Sequence, residues 1–479
     1  MPRLMTPRDA VSWSAPYRAL PEDVFWSPVS PEPLTGAYWV DKNESLIEAL
    51  QLGPWLSDDL IDAYAGSTPL AEWSPLAQVY SGHQFGQWAG QLGDGRGLYL
   101  GVSQSGEHAF EWHLKGAGQT PYSRFGDGRA VLRSSIREYL GSEYLAALGV
   151  PTTRGLCLVG SQTPVRRETM ETGATLVRLC QSHLRIGHFE HFYHRQEPDH
   201  LRTMIEFAIA QLDPDLSDVA DRDALFFERV LNRSARLVAE WMAIGFVHGV
   251  MNTDNTALSG ETLDYGPYGF LTHYNPDFVI NHTDQTGRYA YGQQPRVMQW
   301  NLACLAETLV GSVSVETLQG LLKEFPARYM QAYQHSMARR FAFAEDNPAL
   351  AELLKLQQTA FAKSGTYYPE SFALISGFEG TYLSHTAVDR EVLEQAKRLW
   401  EQEHEPGLRG IQNQITPTWM LSHWMLDRVI QRAEDGDCAP IRGLRQGMHQ
   451  GVSQQLPEAV RLNSQPPPAD GGFHLSCSS

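Results

Sequence analysis

The stretch "HGVMNTDN", residues 248–255, places His248, Asp254 and Asn255 in one short segment, and "LDYG", residues 263–266, follows with Asp264 ahead of an aromatic and a glycine. Carboxylate and amide oxygens are hard donors. One or two of them, with phosphate oxygens and water, are the usual way a protein holds Mg²⁺. A further carboxylate beside such a pair can take the proton of an attacking hydroxyl. These residue types at this spacing point to chemistry on a nucleotide phosphate. Such chemistry also needs a seat for the phosphates and cations to neutralise them.

Candidates for both lie upstream. "GDGRG" contains Gly93, Gly95 and Arg96. Glycines let backbone N–H groups approach phosphate oxygens, and Arg96 adds charge. Taken alone, this stretch reads more readily as a plain turn. Lys115 ends the alternating segment "EHAFEWHLK", in which Phe110, Trp112 and Leu114 share one face and Glu111, His113 and Lys115 the other. Glu138 lies in the helical pattern that follows. A strand lysine, a helix glutamate, a His-containing loop, an Asn and an Asp–aromatic–Gly occur in that order in protein kinases. In that order the position two residues after His248 carries the catalytic Asp, but here it is Val250, and an Asp stands instead at Asp254. Tyr265 replaces the usual phenylalanine and keeps the aromatic. Taken singly, each residue has a bland explanation: a solvated strand lysine, a surface glutamate, two turn-forming Asx residues.

Arg178 and Arg185 flank "LCQSHL". Arginines in a cleft grip phosphate through their planar fork, although surface arginines read the same in sequence. "HFEHFYH" (His188, Glu190, His191, His194) offers imidazole and carboxylate donors. It lacks the HExxH spacing, and its aromatics favour packing over a metal.

Regular elements must hold these groups. "GLYLGVS" and "EHAFEWHLK" around "QSG" predict a hairpin, and a helix is expected over roughly 130–148, stopped at Gly149. A strand is expected at 174–179 and a strongly amphipathic helix at 223–244, ended by Gly245. "TALSGETL" predicts two short strands around Ser259 and Gly260; helical patterns return at 297–340, 385–403 and about 417–433. The expected fold class is α+β and bilobal, a strand-rich N-terminal lobe and a larger helical C-terminal lobe with a ligand cleft between them. The expected division is an extension over 1–75, the N-lobe over 76–190, the C-lobe over 191–462 and a flexible tail over 463–479.

Composition narrows the function further. At 479 residues the chain exceeds what one hydrophobic core usually serves. Its net charge of -17 argues against sequence-independent binding to nucleic acid or anionic membrane. No apolar run is long enough to span a bilayer, and the N-terminus lacks a secretory apolar core, so a cytoplasmic protein is expected. Five scattered cysteines, Cys157, Cys180, Cys304, Cys438 and Cys477, suggest neither a disulfide framework nor a structural zinc site.

Together, "YSGHQFGQWAGQLGDGRG", "LKGAGQTPYSRFGDGRAVLRSSIREYL", "ALGVPTTRGL", "HGVMNTDN", "LDYGPYGFL" and "NHTDQTGRYAYGQQP" resemble the selenoprotein O family over most of the chain from about residue 30. The resemblance implies a protein-kinase-like fold and a protein adenylyltransferase, which moves AMP from ATP to Ser, Thr or Tyr hydroxyls of protein substrates. It implies ATP bound in the inverted orientation, with Mg²⁺ or Mn²⁺, and a monomer is expected. By position, it implies that Lys115 and Arg96 contact the terminal phosphates with Gly93 and Gly95, that Glu138 pairs with Lys115, and that Asp127, Gly128, Arg178 and Arg185 contact the nucleotide. It implies Asn255 and Asp264 as metal ligands and Asp254 as proton acceptor. Some members carry selenocysteine where Cys477 stands, and some bacterial members carry a cysteine where Ile280 stands. A tail-to-loop disulfide therefore lacks its loop partner here, and Cys477 reads equally as an inert or an oxidisable tail thiol. Two alternatives stand beside AMP transfer: a γ-phosphate kinase, which must manage with Val250, and a non-catalytic ATP-binding scaffold.

Overall fold

The computed structural model describes residues 11–364, 368–378 and 390–451; the expected tail with Cys477 and the first residues of the 385–403 helical pattern lie outside them. The fold is mixed, with a large antiparallel sheet and many helices. In chain order the described strands up to residue 180 are β1 (Ser12–Ser14), β2 (Trp26–Pro28), β3 (Tyr38–Lys42), β4 (Leu76–Gln78), β5 (Ser81–Gln84), β6 (Gln87–Gln91), β7 (Gly97–Ser105), β8 (His108–Lys115), β9 (Ala130–Val131), β10 (Arg154–Arg166) and β11 (Met170–Cys180), and a short pair, β12 (Phe246–Val247) with β13 (Gly269–Phe270), follows. Among the described residues the main sheet runs β2-β4-β7-β8-β11-β10-β3, with β1 added to β7 and β9 to β11, while β5 and β6 form a hairpin of their own.

Residues 11–75, expected only to wrap a larger body, supply three strands of this sheet: β1 pairs with β7, β2 with β4 and β3 with β10. The β7–β8 hairpin forms as expected, with Ser105 opposite His108 and Gly97 opposite Lys115. Trp112 and Leu114 on its apolar face join a core with Leu98, Leu100, Trp55 and Leu179. Its polar face is also buried: Glu111 and His113 are each 2% exposed and Lys115 8%. That face is therefore the inner wall of a site rather than a solvated surface. β11 continues the wall, because Arg178 lies opposite His113 and Leu176 opposite Lys115.

The helix expected over 130–148 is α1 here, Leu132–Ala147, and its buried Ile136, Tyr139, Leu140 and Tyr144 pack in a core that continues through Phe226, Val230 and Trp241. Helix α2 (Ile186–His194) follows the sheet, and α3 (Arg222–Ile244) ends where Gly245 takes a left-handed φ of 72°. A left-handed residue after the last turn is the common glycine-dependent helix stop. The single helical pattern at 297–340 resolves into α4 (Gln294–Thr308) and α5 (Val315–Phe341), because Ser314 caps the second by accepting the Thr317 N–H at 3.1 Å. The two short strands expected around Ser259 and Gly260 do not pair with each other. Ala257 instead bridges Arg185 and Thr262 bridges Thr152, while Gly260 at φ +74° turns the chain between them. The segment thus fastens the 248–255 loop to the sheet side of the molecule. Among the described residues no helix is long and apolar enough to cross a membrane.

Candidate active site

A cavity of about 690 Å³ opens between the sheet's buried polar face, the GDGRG turn, the 119–129 loop and the HGVMNTDN loop. Gly93, Gly95, Arg96, Lys115, Asp127, Gly128, Arg178, Arg185, Asp254, Asn255 and Asp264 all line it, and Glu138 stands behind Lys115.

Its deep end is a chain of charges. Lys115 Nζ pairs with Glu138 Oε2, and Glu138 Oε1 accepts from Arg178 Nη1 at 3.0 Å. Arg178 Nη1 also donates to Asp264 Oδ1 at 2.6 Å, Arg185 Nη1 donates to Asp264 Oδ2, and Lys115 Nζ lies 3.8 Å from Asp264 Oδ1. Arg178 and Arg185, which sequence alone leaves on the surface, are each only 2% exposed. The elements explain why. Arg178 sits on the inward face of β11, and Arg185 is the residue that opens α2, with its guanidinium over the Tyr80 ring at 4.7 Å. Burial opposes charge on Asp264, but Arg178, Arg185 and Lys115 outweigh it and hold the carboxyl well below its ordinary range. Burial lowers the Lys115 pKa, and Glu138 partly restores it. Asp264 also has a left-handed φ of 60°, a conformation that Asp tolerates better than most residues.

The HGVMNTDN loop meets this cluster from the other side. Its His248 is a brace: Nε2 donates to the Leu263 carbonyl at 3.0 Å and Nδ1 accepts the Val250 N–H at 3.3 Å, the bonding of a neutral ring. The loop is thereby tied to the residue before Asp264. Asn255 Nδ2 donates to the Val250 carbonyl at 3.0 Å, which leaves its amide oxygen for a cation. Asn255 and Asp264 thus offer one amide and one ionised carboxylate, the hard-oxygen set that suits Mg²⁺ or Mn²⁺ alongside phosphate oxygens.

Asp254 lies in the 3₁₀ turn Thr253–Asn255 and is 7% exposed. Gln84 Nε2 donates to its Oδ2 at 3.1 Å, and among the described residues its buried Oδ1 has no hydrogen-bond partner. Burial pushes its pKa up to about 6, with the Gln84 bond and Arg185 pulling the other way. Its place is set by close packing. A Cβ on Gly82 would stand 2.9 Å from the Asp254 Cβ, and one on Gly187 would stand 2.1 Å from the Ser81 carbonyl and 3.5 Å from the Asp254 Cα. Arg185 Nη1 also donates to the Asp254 carbonyl at 2.8 Å, so one guanidinium joins the Asp254 backbone to the Asp264 carboxylate.

The mouth is built by the 119–129 loop folding over the GDGRG turn. Thr120 Oγ1 donates to the Asp94 carbonyl at 2.6 Å and Ser123 Oγ to the Gly95 carbonyl at 2.5 Å. Gly93 has φ +139°, and a Cβ there would enter the Tyr122 ring at 2.5 Å, so the turn needs glycine. Asp127 is farther out, gripped by Arg167 through two bonds of 2.7 and 3.0 Å. Arg124, Arg129, Arg166 and Arg167 add charge at this mouth, and Gln84 and Asn252 line it near Asp254. Sequence reading assigned none of these six a role. "YSGHQFG" and "VRRETM" were visible, but the contact of Gln84 with Asp254 spans 170 residues and no local pattern encodes it.

Comparison with known proteins places the chain in a family. Residues 10–448 match the family model described as protein adenylyltransferase SelO. The chain is 43% identical over 473 residues, 95% of its own length and 96% of the relative's, to protein nucleotidyltransferase YdiU of Pectobacterium atrosepticum. It is 43% identical over 466 residues to the protein of the same name in Salmonella paratyphi B, covering 94% of this chain and 96% of that one. A match over residues 10–448, with relatives 43% identical along nearly the whole chain, makes the chain a member of the SelO family of protein adenylyltransferases.

Proposed function

We propose that this enzyme transfers AMP from ATP to Ser, Thr or Tyr hydroxyls of protein substrates and releases pyrophosphate, with ATP entering triphosphate-first. The observation that carries this is the deep cluster of Lys115, Arg178 and Arg185 around Asp264, with Arg96 on the same cavity. A kinase places one lysine on its nucleotide phosphates. Three buried cations at the closed end of a cavity suit the more highly charged end of the nucleotide, the β- and γ-phosphates. The α-phosphate then lies toward the HGVMNTDN loop and the adenosine toward the mouth. Asp127 and Gly128 at that mouth contact the nucleotide in this arrangement.

The acceptor hydroxyl attacks the α-phosphorus, forming a new P–O bond as the bond to the bridging oxygen of the β-phosphate breaks. Asp254 takes the hydroxyl proton onto its unpaired Oδ1. Val250, where a kinase keeps its base, cannot do this. Lys115, Arg178, Arg185 and Arg96 stabilise the charge gathering on the departing pyrophosphate. Glu138 holds Lys115 in place. Asn255 and Asp264 would hold Mg²⁺ or Mn²⁺, which supplies charge neutralisation at the phosphates when bound. We take the described residues of 76–190, which bear much of the sheet, and those of 191–451, which are mostly helical, as the two walls of the cleft, with residues 11–75 as an extension of the first.

The test is mass spectrometry of acceptor proteins after incubation with ATP and Mg²⁺ or Mn²⁺. Acceptor peptides should gain one adenylyl group on a hydroxyl residue, and Asp264→Asn should abolish the gain. A gain of a phosphoryl group alone overturns the proposal in favour of a kinase, and nucleotide binding without any transfer overturns it in favour of a scaffold.

A further inference from the structure

Two imidazoles and a carboxylate converge beside the cavity, apart from the Asn255–Asp264 pair. His83 belongs to β5, while Glu190 and His194 lie four residues apart on α2 and so share one helix face. His83 Nδ1 lies 2.5 Å from Glu190 Oε1, and one donor atom from each of the three residues lies within 4.8 Å of the others. Glu190 is 1% exposed, and among the described residues its Oε2 has no hydrogen-bond partner. Leaving a buried carboxylate oxygen unpaired is costly, so packing alone does not explain it. Of the other two imidazoles in the HFEHFYH motif, His188 Nδ1 accepts the Arg185 N–H at 3.0 Å and His191 Nδ1 bonds Ser81 Oγ at 2.9 Å, and neither joins the convergent group. Aromatic rings wall the three convergent groups, with Trp88 on His194 at 3.9 Å and Trp300 edge-on to His83 at 5.4 Å.

We propose that His83, Glu190 and His194 form a second cation site, for a divalent transition metal of the Zn²⁺ type. Imidazole donors suit Zn²⁺ and its neighbours, whereas Mg²⁺ prefers an all-oxygen set. Metal–ligand bonds of about 2.0–2.1 Å in a tetrahedron place the donors about 3.3 Å apart. The His83–Glu190 contact opens by under about 1 Å to reach that spacing. His194, exposed near the end of α2, closes on the ion, and a water completes the tetrahedron. The metal enters from solvent past Trp88, which is 40% exposed. It ties β5 to α2, the two elements whose Gly82 and Gly187 close on Asp254.

The test uses the full-length chain, freed of metal by chelator and dialysed against Zn²⁺ with excess Mg²⁺ present and no nucleotide. The wild type should retain one Zn²⁺ per chain. His194→Ala, at an exposed position, should weaken retention at least 10-fold while circular dichroism stays native. Glu190→Gln should do the same, and Asp264→Asn should retain the ion. Failure of the wild type to retain Zn²⁺, undiminished retention by both His194→Ala and Glu190→Gln, or loss with Asp264→Asn overturns the proposal. None of these readouts involves AMP transfer, so the two proposals succeed or fail separately.

Discussion

Replacing Asp254 by Asn should make the metal-free protein more stable while abolishing its activity. In the folded chain the Asp254 carboxyl titrates at about 6, against 3.8 for an ordinary Asp, because burial disfavours its charged form. A carboxyl with a raised folded pKa stabilises the fold only while it stays protonated. Its contribution is full below the unfolded value and is lost as pH rises through the folded one. A gap of about two units at about 1.4 kcal/mol each makes ionised Asp254 a burden of about 3 kcal/mol at pH 7.5. At pH 5 the folded carboxyl is mostly protonated, and roughly half of that burden remains. Asn has nearly the same shape, carries no charge, and keeps an oxygen for Gln84. Urea unfolding of wild type and Asp254→Asn, in chelator so that no cation sits at Asn255 and Asp264, should show the variant ahead by up to about 3 kcal/mol at pH 7.5, the lead shrinking by about half at pH 5. AMP transfer by the variant should fall at least about 100-fold, the usual range for a lost general base. A lead that does not change with pH, or a variant that transfers AMP at close to the wild-type rate, refutes the assignment of Asp254 as a buried base.

Three other perturbations test neighbouring parts of the site. Asp264→Ala removes the shared partner of buried Arg178 and Arg185 and should cost about 3–5 kcal/mol in urea unfolding, on top of losing transfer. Gly187→Ala drives a methyl group against the Ser81 carbonyl and the Asp254 backbone, so it should cost about 1–3 kcal/mol and lower kcat more than it changes KM for ATP. Arg96→Ala, at an exposed wall of the cavity, should leave stability unchanged and raise KM for ATP about 10- to 100-fold through loss of one charged hydrogen bond.

Local patterning foretold the elements that depend on neighbouring residues. The β7–β8 hairpin, the helix of Glu138, the strand of Arg178 and the long amphipathic helix ending at Gly245 all show their periodicity and stops in the sequence. Features decided by distant pairing were not legible. The short strands within residues 11–75 each carry a Trp and exist because β7, β4 and β10 supply their partners. The alternation of β8 divides Lys115 from Leu114, but it does not say that both faces are covered. For that reason Lys115, Arg178 and Arg185 look like surface residues until the sheet, the helix of Glu138 and the Asp264 loop are assembled around them. The break before Val315 has a local mark, the Ser314–Thr317 capping pair, which the helical periodicity of 297–340 overrides in sequence. The motif "HFEHFYH" showed its donors, but not that Glu190 would find His83 across 107 residues of chain.

The orientation of ATP underlies the catalytic roles proposed for the cavity residues, and one measurement reads it directly. Parallel incubations of the enzyme and a protein acceptor with ATP labelled at the α- or the γ-phosphate follow which phosphorus moves. With the triphosphate held by Lys115, Arg178 and Arg185, only the α-label should become covalently attached to protein, and the γ-label should leave as pyrophosphate. Protein-bound γ-label without α-label would contradict the inverted arrangement and return the site to ordinary kinase chemistry.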